Sequence, residues 1–111
     1  MYFSDLLKAM NRIAEYISGY DYARFRQDYK TVDAVIRNFE IIGEASRSIP
    51  AEIKLKYPEV PWAEMYLLRN KVIHEYFGVD HEIIWDVASN HLPENRLQIQ
   101  RIIAIEFPDK Q

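Results

Sequence analysis

Residues 31–47 read TVDAVIRNFEIIGEASR, and this stretch decides the fold. Val32, Val35, Ile36, Phe39, Ile42 and Ser46 recur every three or four positions. That repeat lines one face of an α-helix with apolar or small groups. The spacing predicts a long helix from Tyr29 or Thr31 to Arg47, with Pro50 just beyond its end. Upstream, Leu6, Met10, Ile13 and Ile17 repeat the pattern, with Ser4 as N-cap and Gly19 past the end. Asp21 to Asp28 is long enough for a turn or two that bridges these helices. The Tyr and Phe residues between 16 and 29 read as packing groups.

Downstream, Pro50 to Lys56 suits one short helix, because proline is tolerated in a first turn. Pro58 and Pro61 punctuate the chain, and Pro61 opens the next helix. Its apolar stripe is Trp62, Met65, Leu68, Val72 and Phe77, and Gly78 can end it in a left-handed cap. Asp80 is the next N-cap candidate, ahead of Ile83, Ile84, Val87 and Ala88. Pro93 predicts a break or kink after His91. Leu97, Ile99, Ile102, Ile103 and Ile105 carry a last helix to about Phe107. No period-two alternation and no hairpin dipeptide interrupts the series. The reading is all-α, an antiparallel bundle of four to five helices. One domain is expected over residues 1–107, with 108–111 as a short tail.

Composition narrows the function. The chain has 111 residues, 49% hydrophobic and 28% charged, the make-up of one ordinary folded domain. Zero cysteines exclude disulfides and thiolate chemistry, and fit a cytoplasmic setting. The opening MYFSDLLKAMNR does not read as a signal peptide, and no apolar run approaches membrane-spanning length. With 14 Lys+Arg against 17 Asp+Glu, the net charge is −3. Nucleic acid would therefore have to be met by a local positive patch. Eight tyrosines hint at an interface.

Candidate chemistry concentrates in RNKVIHEY, residues 69–76. His81 and His91 sit near helix ends and read as solvated surface groups. On a helix Asn70 and His74 are four apart and share a face, and Arg69 and Tyr76, seven apart, share another. Arg69 and His74 diverge by about 140°. A second copy across a two-fold axis would bring two Arg and two His into one cleft. Such a cleft suits metal-independent RNA cleavage. Histidine takes a proton from a ribose 2′-hydroxyl or returns one to the leaving 5′-oxygen, and arginine steadies charge on phosphorus. The spacing leaves a structural reading open, in which Arg69 and His74 cap the helix or pair with Glu64, Glu75 or Asp80. Metal chemistry has less support: there is no His-Glu-x-x-His, and Glu40 and Glu44 read as partly buried members of an Arg–Glu network with Arg37, Arg47 or Lys71. No metal and no cofactor is expected.

The pattern Arg69, Asn70, His74, Tyr76 resembles the signature of HepT-like toxins in the HEPN superfamily. Residues 34–45 (AVIRNFEIIGEA), Tyr57-Pro58 through Pro61-Trp62, and residues 76–80 (YFGVD) followed by Ile84-Trp85 are similar to further blocks of that family. Together they run in order from about Asp5 to Ile103. The resemblance implies a helical bundle that forms a homodimer, with Arg69 and His74 catalytic in a shared cleft and Asn70 supporting them. It implies a ribonuclease toxin paired with a minimal nucleotidyltransferase antitoxin that transfers AMP onto Tyr76. RNA is the implied substrate, and no membrane partner is implied. The alternative is a non-catalytic partner module for the nucleotidyltransferase. Glu75 beside His74 and the net charge of −3 fit a restrained nuclease and a silent binder equally.

Overall fold

The computed structural model describes residues 2–74 and 80–110; of residues 69–74 and 110 it describes the backbone alone. Among the described residues there are seven α-helices and no strand. They are α1 (Tyr2–Ile17), α2 (Tyr22–Gln27), α3 (Tyr29–Arg47), α4 (Ala51–Lys56), α5 (Trp62–His74), α6 (His81–Asp86) and α7 (Leu92–Glu106). A π-helical turn, Val87–His91, joins α6 to α7, and Pro108–Lys110 closes the chain in a 3-10 turn. The fold is the all-α bundle that the periodicity predicts. Its four long helices pack in a row: α5 lies on α3, α3 on α1, and α1 on α7.

The apolar stripes meet along that row. Leu6, Met10 and Ile13 of α1, Val35, Phe39 and Ile42 of α3, and Ile99 and Ile102 of α7 are all buried. Phe25, from the short α2, is completely enclosed. Burial of each such side chain contributes roughly 1.5–3 kcal/mol. Caps set the boundaries. The Asp21 carboxylate accepts from the Arg24 backbone N–H at 2.8 Å, and Asp28 accepts from Thr31 at 3.2 Å. Asp80 accepts from Ile83 at 3.2 Å, as its cap position predicts. Gly19 turns the chain out of α1 with φ +77°, a region that suits glycine.

Two expectations need correction, and one is met in an unexpected way. Ser4 is not the cap of α1, because the helix already begins at Tyr2 and Phe3 is buried against the core. The break expected after His91 is there, since α7 begins at Leu92. The backbone widens into the π turn, Leu92 N–H bonds the Val87 carbonyl, and Pro93 occupies the first turn of α7, where its missing donor costs little. The Glu40 part of the expected pairing is present, half-buried and bonded to Arg37 at 3.4 Å in an i,i+3 pair, but Glu44 is not partly buried: it is exposed.

Candidate functional site

Helix α5 carries the candidate residues, and its first turn is firmly fixed. The Trp62 indole N–H donates to the Tyr57 carbonyl at 2.9 Å, and the Trp62 ring stands edge-on to Phe3 with centroids 6.3 Å apart. Just upstream, Glu106 at the end of α7 accepts from the Tyr57 hydroxyl at 2.5 Å and from Lys56 at 2.7 Å. The Lys56 ammonium, and then the Tyr57 hydroxyl, hold the Glu106 carboxyl below its usual range. Donating these two hydrogen bonds to Glu106 pushes the Tyr57 phenol and the Lys56 ammonium up. The joint between α4 and α5 is thus pinned to the far end of the chain. Met65 and Leu68 then bury one side of α5, which rests on α3.

The helix is continuous through Arg69, Asn70 and His74, so the helical premise for their spacing holds. Arg69 and His74 stand about 7.5 Å apart along the axis and about 140° apart around it. His74 is nine positions from Met65, which puts it on the side of the helix opposite that buried residue. Tyr76 lies outside the described residues. Two exposed apolar residues share the Asn70–His74 side by register: Tyr66, four before Asn70, and Leu67, seven before His74. Leu67 is 50% exposed. The apolar stripe does not include it, and an apolar residue off the stripe is the sequence signal that could have singled it out. The Tyr57–Glu106 contact spans 49 positions, and no local pattern announces it.

Of the two histidines expected at the surface, His81 is half-buried. His91 is exposed and meets Asp86 at 3.1 Å. Hydrogen bonds from Asn90 and then His91 lower the Asp86 carboxyl. Among the described residues no three His, Asp or Glu side chains come together to hold a metal ion. No helix there is long and apolar enough to cross a membrane.

A row of helices with a polar Arg-Asn-His set on the end of one of them defines a class of small helical-bundle proteins. Residues 6–102 match the family described as Ribonuclease HepT-like, and the chain belongs to that family. It is 43% identical over 99 residues to a candidate RNase of Methanocaldococcus jannaschii, covering 89% of this chain and 82% of that one. It is 40% identical over 101 residues to the probable ribonuclease HepT of Thermococcus cleftensis, covering 91% and 92%. A candidate RNase of Caldanaerobacter subterraneus is 36% identical over 105 residues, covering 95% and 94%. No solved structure matches significantly.

Proposed function

We propose that this protein is a metal-independent endoribonuclease that works as a homodimer and serves as the toxin of a toxin–antitoxin pair. Its membership of the HepT-like ribonuclease family supports RNA as substrate. One observation carries the dimer: the register of α5 sets exposed Leu67 and Tyr66 on the side that holds Asn70 and His74. An apolar pair beside a polar set is what a self-associating surface offers. A second α5 docked there would supply the second Arg69 and His74 that one helix cannot aim at the same point.

In that cleft one His74 takes the proton of a ribose 2′-hydroxyl, and the freed oxygen attacks phosphorus. The bond from phosphorus to the 5′-oxygen breaks, and His74 of the second copy returns a proton to the leaving oxygen. The products are a 2′,3′-cyclic phosphate and a 5′-hydroxyl. Arg69 steadies the charge on the phosphoryl oxygens, and Asn70 orients the imidazole or the phosphate. Tyr76 accepts AMP from a nucleotidyltransferase antitoxin, in the cytoplasm that both share. The added bulk and negative charge would then repel a phosphodiester.

The net charge of −3 fits equally a second reading, a partner module that presents Tyr76 without cutting RNA. His74→Ala separates the two. Under the nuclease reading the parent yields cyclic-phosphate ends in EDTA, and the folded variant yields none. A variant that cuts like its parent overturns the assignment of His74, and a parent that cuts nothing favours the partner module.

A further inference from the structure

A second cleft lies away from α5, between α1, the π turn and the start of α7, with a volume of about 250 Å³. Tyr20, Trp85, Pro93 and Arg96 are among the residues that line it, and none of its lining residues is acidic. That is notable in a chain with 17 acids. Its aromatic walls are held in place. The Trp85 ring packs on the enclosed Phe25 with centroids 5.2 Å apart. The Tyr20 hydroxyl donates to Asp28 at 2.6 Å, and the Arg24 guanidinium lies 4.1 Å over the Tyr20 ring. Arg96 is half-buried, and its Nε has no hydrogen-bond partner among the described residues. It forms no ion pair there either. The π turn adds a reason to look here, because such turns occur often at functional sites. Ser89 within it donates to the Trp85 carbonyl at 2.6 Å and so shapes the rim.

We propose that the Tyr20–Trp85–Arg96 cleft is a subsite for one unpaired nucleobase of the RNA substrate. This rests on the ribonuclease reading and extends it. The volume lies below the roughly 300–1,000 Å³ of pockets that enclose drug-sized ligands, so a single flat group suits it. The Tyr20 and Trp85 rings, set among aliphatic residues such as Ile13, Ile17 and Leu92, can stack a base, and the Arg96 guanidinium can serve the phosphate or a base carbonyl. Arg96 is the one cationic residue of the cleft's described lining, the kind of group an RNA phosphate needs. The cleft shares no lining residue with the Arg69–His74 set, so it would grip the strand away from the cut.

The test uses strands that cannot be cleaved. A 2′-O-methyl RNA decamer and an abasic strand of equal length are titrated onto the intact protein. Trp62 is buried and Trp85 lines the cleft, so Trp85 emission reports the base. The base-bearing strand is expected to quench it and to bind at least fivefold tighter than the abasic one. By polarisation of a labelled strand, Arg96→Gln is expected to weaken binding at least threefold and to lower the salt slope by about one. Equal binding of both strands, or a bound strand that leaves Trp85 unaltered, overturns the proposal. So does an Arg96→Gln variant that binds like its parent. Emission that follows protein concentration instead of strand marks a second copy as the occupant and overturns it too. A protein that binds in this way yet cuts no RNA sinks the nuclease reading and leaves the cleft standing. One that cuts RNA while Trp85 stays silent does the reverse.

Discussion

Met65 and Leu67 are two positions apart on α5, and truncating them should do different things. Met65 is 2% exposed, on a helix that packs on α3, whereas Leu67 is 50% exposed. Burying a methionine contributes roughly 1.5–3 kcal/mol by transfer alone. Met65→Ala also leaves a cavity, and such changes cost about 2–5 kcal/mol. Against a total stability of about 5–15 kcal/mol this is a large share. For a chain of this size it lowers the melting temperature by on the order of 10–20 °C. The drop is expected at every protein concentration. Leu67→Ala removes a half-exposed side chain, so the subunit's own stability changes by less than about 0.5 kcal/mol. Its effect is on association: the proposed dimer dissociates at lower dilution, and the melting temperature becomes less dependent on concentration once it does. Urea unfolding at several concentrations, with sedimentation equilibrium, measures both. If Leu67→Ala costs as much as Met65→Ala at all concentrations, the assignment of inner and outer faces on α5 is wrong. If Leu67→Ala leaves a dimer unweakened, its surface is not the interface.

Other outcomes follow from the same contacts. Glu106 has a depressed pKa in the fold, so its contribution is present above the ordinary value of 4.5 and is lost as pH falls through the folded value. The stability gap between parent and Glu106→Gln should therefore be steady near neutrality and shrink in acid, as acid-to-neutral urea series will check. Gly19→Ala meets nothing within 4 Å, so its cost is backbone strain alone, about 1 kcal/mol, read by thermal melting. Asp80→Ala should cost about 1 kcal/mol, the loss of one N-cap, in the same melts.

What was legible in the sequence was whatever depends on near neighbours. Val32, Val35, Phe39 and Ile42 announced α3, and Asp80 and Gly19 marked their boundaries correctly. The π turn was hidden, because a shift to i+5 bonding leaves no period in five residues and Pro93 reads the same in either geometry. Glu44 misled on burial because Phe39, Ile41 and Ile42 lie near it in sequence. Residues one or two apart on a helix point to different sides, so apolar neighbours do not imply burial. The Tyr57–Glu106 joint and the Trp85–Arg96 cleft depend on how distant helices dock, which a single sequence does not encode locally. For the candidate site, the sequence supplied the residue types and their spacing. The fold added an unbroken helix under Arg69, Asn70 and His74, and an exposed leucine on the side of His74.

The most direct test of the ribonuclease and its switch pairs intact mass with cleavage. The protein is produced alone and together with a neighbouring nucleotidyltransferase, and each sample is assayed on RNA in EDTA. The account predicts EDTA-resistant cleavage by the bare protein, a gain of one AMP on Tyr76 in the co-produced sample, and loss of cleavage with that gain. Modification at Tyr76 with no cleavage by the bare protein would contradict it, and would leave a helical partner module in place of an enzyme.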